Sequence, residues 1–493
     1  MSSPRALRPL FVVLLAITGL SPLPAVTQEA TPVVDAVPMI VASGLTNPRC
    51  MTWGADGVLY VALAGIGGTT EATEDAPATE AIGPFLGGPT AAVASIGPDG
   101  CPVAVATGLP STVDVLGGVL GAEDVAILGD QLYASVDGGG AVHGNPDMPS
   151  GVYRILADGS FEVVADLSAW VRDNPVAEVS GDFDPDAAGY SIVADEASNL
   201  LWVSDPNSGQ VLSVTPDGVI ARIADLSAGH PVPTQMTLDP NGGVYVGTLT
   251  AVPFPDGAAK VMHIAADGTV TDVWTGLTAV TGVAVGTDGT LYAIEMSTGN
   301  LTEPPFLMPG SGRLVSQTAP DQLEVVTEGL LFPVALDVGP DGAFYIASPA
   351  LGANGGQGTI VRIGVAGGLA TPVAAGNAFC APIPETTTVP PAPEPEEASP
   401  EASPEADTGT SAGVAVSIVD FAFDTPSLEV AAGTTVTWTN NDSAAHTASA
   451  SDGSWDTGNI DPGASASVTF DTPGTYEYVC AYHPNMTATI VVT

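Results

Sequence analysis

Between residues 39 and 365 the chain alternates apolar and polar positions in short runs, and each run stops at Asp-Gly, Asn-Gly or a similar pair. A period of two sends successive side chains to opposite faces of a strand, and Gly accepts the positive φ of a tight turn. Each run–turn–run therefore reads as a β-hairpin. The unit recurs six times. Its copies are Cys50-Met51-Thr52-Trp53 to Leu59-Tyr60-Val61-Ala62, Val125 to Leu128 with Leu132 to Ala134, and Tyr190 to Val193 with Leu201 to Val203. The others are Gln235 to Leu238 with Val244 to Val246, Val283 to Val285 with Leu291 to Ile294, and Ala335 to Val338 with Phe344 to Ala347. A second hairpin follows the first, as in Val152 to Ile155 before Ala157-Asp158-Gly159, or Met262 to Ile264 before Ala266-Asp267-Gly268. Six repeats of four short antiparallel strands predict a six-bladed β-propeller, because no single unit buries both its faces and a stack of them does. Met39-Ile40-Val41-Ala42 reads as an outermost strand that closes the ring beside the sixth unit.

The pattern changes at 384. Residues 384–412, with Pro390-Pro391-Ala392-Pro393-Glu394-Pro395 and two Glu-Ala-Ser-Pro-like copies ending at Pro404, predict an extended, solvated linker reaching on the order of 90 Å. Gly409-Thr410-Ser411-Ala412-Gly413 matches a hydrolase nucleophile pattern but lies in this linker, not between a strand and a helix, so it carries no catalytic meaning. From 413 to 493 the alternation resumes, in Thr435 to Trp438, Ala466 to Phe470 and Tyr476 to Val479 among others, and predicts a small Greek-key β-sandwich. The fold class is thus all-β, a propeller over 36–383 followed by a sandwich.

Composition sharpens this reading. Nine Lys and Arg stand against 55 Asp and Glu, for a net charge of −46. Such a surface repels phosphate, which makes nucleic acid and anionic membranes poor partners and suits solubility or docking to a basic protein. Arg5 and Arg8 precede an apolar run from Leu10 to Leu20 and small residues near Ala25 to Ala30, so residues 1–30 read as an export signal. The run is too short to span a bilayer, and no transmembrane segment is expected later. A periplasmic or extracellular protein follows. Cysteines number four. Cys101 and Cys380 sit in turn-like surroundings and are paired here as a disulfide, whereas Cys50 lies in an apolar strand.

The fourth cysteine opens Cys480-Ala481-Tyr482-His483-Pro484-Asn485-Met486. One thiolate, one imidazole and one thioether fall within a single loop, and His446 lies upstream, just past the Trp438 strand. Two His and one Cys with a weak axial Met is the donor set of electron-transfer copper. Zinc fits poorly, since Met is a poor zinc ligand and a second thiolate is missing. Trp438-Thr439-Asn440, then His446, then Cys-x-x-His-Pro-x-Met resembles the plastocyanin/amicyanin family of cupredoxins, closest to the short amicyanin loop. The resemblance implies one type 1 copper ion, with His446, Cys480 and His483 equatorial and Met486 axial. It also implies that Asn440 steadies the loop at the Cys480 sulfur, that the His483 edge is the electron exit, and that Ala481, Tyr482 and Pro484 form a docking rim for a redox protein partner.

The repeats resemble the ScyD/ScyE family of exported bacterial propellers, and more distantly NHL-type and gluconolactonase-like rings. The resemblance rests on Gly44-Leu-x-x-Pro48, Gly329-Leu-x-x-Pro333, the Asp-Gly-x-x-Tyr turns and Asp205-Pro206-Asn207. It implies architecture and leaves the propeller's ligand open. Arg49, Glu123, Asp124, Gln235 and Thr281 are expected to line the central channel, where Arg49 facing Glu123 or Asp124 makes either a polar ligand site or a structural ion pair. Asp182-Phe183-Asp184-Pro185-Asp186 starts like a calcium loop. The pattern then fails at Ala187 and Val193, which leaves a solvated acidic loop. With only His143, His230 and His263 in the repeats and one Cys in the copper loop, a nitrous-oxide-reductase arrangement is excluded. The expected function is one-electron transfer with the propeller as a binding or docking module. The alternative makes the propeller an oxidoreductase or lactonase-like hydrolase with the copper domain as its tethered redox mate.

Overall fold

The computed structural model describes residues 34–365 except 74–83, 98, 116, 187–188, 303–305 and 355, then 380 and 383, and finally 414–493 except 420–421, 442–445, 451–454, 456, 458–459, 461–462, 471 and 481–485. The expected signal (1–30) and linker (384–412) lie outside the described residues.

Six antiparallel sheets follow one another along the chain. The first contains Pro48–Trp53, Leu59–Leu63, Leu86–Ile96, Pro102–Val113 and Val119–Leu120, with Thr70–Glu71 paired to its third strand. The second is Ala122–Leu128, Gln131–Val136, Gly151–Ile155 and Phe161–Asp166, and the third Ser191–Asp195, Leu200–Asp205, Gln210–Val214 and Ile220–Asp225. The fourth is Pro233–Leu238, Val244–Thr248, Ala259–Ile264 and Val270–Leu277, and the fifth Val280–Val285, Leu291–Glu295, Gly312–Ala319 and Gln322–Leu330. The sixth takes Ala335–Val338, Phe344–Ser348 and Gly358–Val365 from late in the chain and adds Val34–Leu45 from its start, antiparallel to Gly358–Val365. The first strand of each sheet packs against the first strand of the next, and that of the sixth packs against that of the first.

The turns show why the pattern was so regular. In Asp56-Gly57, Asp158-Gly159, Asp267-Gly268, Asp288-Gly289 and Asp341-Gly342 the glycine has φ between 75° and 84°. The aspartate Oδ1 of each accepts the amide two residues on, at 2.9–3.1 Å. The two residues do separate jobs, one supplying the left-handed backbone and the other the local acceptor.

Both faces of each sheet are apolar, and each face is buried against a different neighbour. In the fifth sheet Val283 and Ala293 join the fourth sheet's Val261, Trp274 and Leu277, while Ala284 and Ile294 join the sixth sheet's Leu336, Phe344 and Ile346. The same holds between the sixth and first sheets, where Val41, Leu45 and Ile360 meet Met51, Leu59 and Val61. Each such Val, Leu or Ile contributes about 1.5–3 kcal/mol by leaving water.

The sixth–first seam is fastened twice. The chain start supplies the fourth strand of the sixth sheet, and Cys101, in a turn of the first sheet, is bonded to Cys380 across a sequence separation of 279. Gly44, at φ 77°, approaches Cys380 so closely that an added Cβ would lie 2.7 Å from the Cys380 Cβ. Ser43 N donates to Gly100 O at 3.2 Å.

The C-terminal residues form two further four-stranded sheets. One has the order Ala422–Phe423, Val414–Val419, Thr434–Asn440, Ser465–Phe470, and the other Ser427–Val430, Thr487–Val492, Gly474–Val479, Ser449–Ala450. Val414–Val419 runs parallel to Thr434–Asn440, and Ser427–Val430 parallel to Thr487–Val492. Along Thr434–Asn440 the inward residues Val436, Trp438 and Asn440 are fully buried. The outward residues pair their hydroxyls with the neighbouring strand, Thr435 with Thr469, Thr437 with Ser467 and Thr439 with Ser465, at 2.8–2.9 Å. A one-residue slip would put Trp438 in water, so the register is set from both faces. Trp438 donates its indole N–H to Tyr478 at 3.2 Å and stacks on Trp455.

Replacing Cys101 and Cys380 together by serine is expected to destabilise residues 34–365 by about 2–5 kcal/mol, because the cross-link closes a very long loop in the unfolded chain. Chemical denaturation would check this. An unchanged midpoint would show that the paired strand alone holds the seam.

Candidate metal centre and channel residues

Asn440 ends a strand of the sandwich, and the chain returns at His446. The His446 backbone pairs with Ile460 in both directions, N to O at 3.1 Å and O to N at 2.7 Å. The Asn440 side-chain amide donates to the Ile460 carbonyl at 2.8 Å, so it holds the segment that holds His446. From the opposite sheet, Gly474–Val479 delivers Cys480, whose amide donates to Met486 O at 2.9 Å and pins the two ends of the intervening loop. Cys480 Sγ lies 3.7 Å from His446 Nδ1 and accepts the Thr447 amide N–H at 3.3 Å. Cys480 and His446 are fully buried and Met486 almost so, and Cys480 and Met486 belong to one core cluster with Trp438 and Tyr478.

Of the four expected ligands, three are thus placed, and Cys480 and His446 stand side by side, fully buried. His483 and the expected rim of Ala481, Tyr482 and Pro484 lie outside the described residues. Among the described residues no three His, Cys, Asp or Glu side chains gather as a metal-binding group. The donors fit a soft, redox-active ion: a sulfur atom, an imidazole nitrogen beside it, and an N–H that stabilises negative charge on sulfur. The Thr447 amide was invisible to sequence reading, since a backbone donor has no residue-type signature.

The five channel candidates sit at the start of the innermost strands and are all buried. Arg49 Nε donates to Glu123 Oε2 at 2.9 Å, and its other nitrogens donate to Val119 O at 2.6 Å and Ala350 O at 3.2 Å. Asp124 faces the third sheet instead, accepting Ser191 Oγ at 2.8 Å and Ile192 N at 2.9 Å. Gln235 Oε1 accepts Leu336 N at 3.0 Å, and Thr281 Oγ1 donates to Pro333 O at 2.8 Å. Thr234, beside Gln235, donates to Val280 O at 2.8 Å. These contacts join the first sheet to the second, the second to the third, the fourth to the fifth and sixth, and the fifth to the sixth. The polar groups expected to meet a ligand are therefore engaged in fastening sheets to one another.

Two cavities lie among these strands. One, of about 200 Å³, is lined by Asp124, Gln235 and Asp337 with Met51, Ile192 and Val283. Burial pushes Asp124 up to about 8 in spite of its three donors, and Asp337, held only by its neighbour's amide, up to about 7. The other, of about 400 Å³, is lined by Arg49 and Glu123 together with a mainly apolar wall. Burial above all, and then Asp124 and Glu123, raise the Cys50 thiol well above its usual range.

The acidic loop is not solvated throughout, as had been expected. Asp182 is exposed, but Asp184 and Asp186 are buried. Asp184 Oδ2 lies 3.1 Å from Nε2 of the fully buried His143, and Asp186 accepts Arg172 at 2.6 Å and Val142 N at 2.8 Å. Arg172 is presented by the short helix α1, Leu167–Asp173, capped by Asp166 accepting Ala169 N. The loop's carboxylates are consumed by basic and amide partners far away in sequence, which local composition does not reveal.

Among the described residues no helix is long and apolar enough to cross a membrane. A family described as a cupredoxin-like domain matches residues 398–492. Over 82 residues, 16% of this chain and 69% of the relative, the chain is 34% identical to amicyanin-alpha of Methylorubrum extorquens. It is similar to the oxidized state of an amicyanin mutant, at 30% identity over 16% of this chain and 82% of that chain with a TM-score of 0.16. It is similar also to the Cu(I) form of another amicyanin mutant, at 30% identity over 18% of this chain and 87% of that chain with a TM-score of 0.16.

The raised Asp337 carboxyl makes stability depend on pH. Between pH about 4, where an unfolded Asp releases its proton, and about 7, the folded chain still holds it. Unfolding free energy therefore falls as pH rises through that window, and the contribution is complete only below it. Asp337→Asn is expected to remove about 0.5–1 kcal/mol per pH unit of this slope, less than the ~1.4 of a sealed group because Asp337 lines a cavity. Urea midpoints at both ends of the window would test it, and parallel curves for variant and parent would refute it.

Proposed function

Because the chain belongs, through its C-terminal domain, to the cupredoxin-like family that includes amicyanin, we propose that residues 413–493 take up and give up one electron at a single type 1 copper ion held by His446, Cys480, His483 and Met486. The observation that carries this reading is the buried pairing of Cys480 Sγ with His446 Nδ1 at 3.7 Å, with the Thr447 amide aimed at the sulfur. Copper bound there supplies a couple between Cu(I), which favours sulfur, and Cu(II), which favours imidazole.

The chain's own residues do the rest. Thr447 N–H stabilises the thiolate. The Ile460 bridge and Asn440 hold the His446 ring in place, and the Cys480–Met486 backbone bond keeps the loop ends from spreading. A site so braced from two sheets keeps one geometry whichever charge it carries, which lowers the rearrangement that accompanies electron transfer. The edge of His483 is the electron's exit, framed by Ala481, Tyr482 and Pro484, and the acidic surface suits a basic redox protein as partner.

The six sheets are read as a six-bladed β-propeller over 36–383, of the ScyD/ScyE kind, joined by the 384–412 linker. The cyclic packing of the first strands and the shared sixth sheet support this reading. Its channel residues spend their polar groups on ties between sheets, which favours a binding or docking module over an enzyme. Residues 1–30 are read as an export signal, and the Cys101–Cys380 bond fits an oxidising periplasmic or extracellular setting.

Copper-loaded protein is expected to show an intense visible thiolate-to-copper band, reversibly bleached on reduction and absent in Cys480→Ser. A colourless protein that retains zinc would overturn the proposal. Asn440→Ala is expected to weaken copper binding by about 10–100-fold while the band persists, since its amide holds the Ile460 segment that pairs with His446 and all four ligands are kept. Competition with a chelator would measure this, and equal affinity would remove Asn440 from the account.

A further inference from the structure

We propose that the larger cavity, at the Arg49 end of the innermost strands, is a binding site for an organic cation, a protonated amine or quaternary ammonium carried on an apolar body. The proposal rests on reading the six sheets as one ring and not on the copper site. The cavity holds about 400 Å³ and is lined by residues of all six sheets or of the turns that lead into them. That volume is in the range of small-molecule sites.

The wall selects the chemistry. Most of it is apolar, from Leu249, Met296, Leu307 and Val334, and three aromatic rings face the same space: Phe85, Tyr190 and Phe254. Aromatic faces attract cations, and do so more strongly where water is excluded. Charge points the same way. Asp114, Glu123 and Asp137 line the cavity against a single basic group, Arg49. Arg49 is already engaged by Glu123, Val119 and Ala350, so its charge is turned toward the protein and an anionic ligand finds no free partner. Thr281 and Thr234 donate their hydroxyl protons to carbonyls and leave only acceptor oxygens facing the cavity. A cation bearing N–H or O–H groups satisfies these acceptors, and one bearing methyl groups fills the aromatic wall. The net charge of −46 raises the local concentration of any cation.

The test uses the full chain, copper-loaded, and three probes of similar size: benzyltrimethylammonium, benzyl alcohol and benzoate. Calorimetric titration is expected to give saturable binding of benzyltrimethylammonium at least ten-fold tighter than of benzyl alcohol, with none for benzoate. Asp114→Asn is expected to shrink that preference several-fold. Leu307→Trp, which fills the cavity, is expected to abolish binding; if it lowers the melting midpoint, Leu351→Trp at the part-exposed mouth carries the same expectation. Equal binding of the alcohol, or cation binding that survives both tryptophan variants, overturns the proposal, the latter because it places the cation on the acidic surface. The disulfide is mapped on the same sample. Cys101 or Cys380 found bonded to Cys50, which is buried on an innermost strand, overturns ring and site together, whereas Cys101–Cys380 pairing without cation preference overturns the ligand alone.

Discussion

A sheet whose strands alternate apolar residues on both faces needs two covers. This constraint organises residues 34–365. Each sheet shields one face of its predecessor and one of its successor, and a row of six would still expose one face at each end. Those two end faces meet at Pro48–Trp53, where Trp53 lies edge-on to Tyr345 and Met51, Val61, Tyr345 and Ala347 share one cluster. Closure is therefore the step that removes the last apolar surface from water, and it is the step the chain fastens most heavily. Strand exchange at the seam makes Val34–Leu45 and Gly358–Val365 interdependent, and the Cys101–Cys380 bond adds a covalent tie from Cys380 to the first sheet.

The same constraint explains where polar residues go. The innermost strands converge, so their backbones come near one another and their side chains have little room. Arg49, Asp124, Thr234, Gln235 and Thr281 meet neighbouring backbone groups there at 2.6–3.0 Å. A buried donor or acceptor left unmade costs more than a satisfied one contributes. These residues thus specify the spacing of the sheets as much as they stabilise it, and a substitution that removes one partner strands the other.

Reading the sequence reached a long way into this structure and stopped at a definable point. The six hairpins were legible because strand period and turn chemistry are local: Asp267 and Gly268 declare their turn without reference to anything beyond Thr269. The outer strand at Met39 was legible because it had an apolar run and no partner nearby. What stayed hidden depends on pairs far apart in the chain. Arg49 facing an acidic partner was anticipated, with Glu123 and Asp124 both open, whereas the tie between Gln235 and Leu336, 101 residues apart, was not. Nothing in either segment announces the other. The loop at Asp182 was misjudged for the same reason, since His143 and Arg172 reach Asp184 and Asp186 from other elements. At the candidate metal centre the side-chain donors were named from residue type alone, while the Thr447 amide and the Ile460 bridge, which belong to the backbone, appeared only in three dimensions.

The two halves of the chain manage their polar groups by different means. In the larger half a burden of carboxylates is made tolerable by giving many of them local work: the turn aspartates accept an amide two residues away, and that hydrogen bond favours the ionised form where solvent reaches it, as at Asp158 and Asp267, whose carboxyls are held below their usual range first by their hydrogen bonds. Where solvent does not reach, as at Asp124, donors are insufficient and burial wins. The sandwich faces a different case, a buried sulfur. Beside Cys480 Sγ stand the His446 ring, with Nδ1 3.7 Å away, and the Thr447 backbone N–H at 3.3 Å. Both belong to the segment that pairs with Ile460, whose carbonyl also accepts the Asn440 amide. The surroundings of the sulfur are thus set by backbone pairing between segments, a different means from the local turn chemistry that manages the carboxylates.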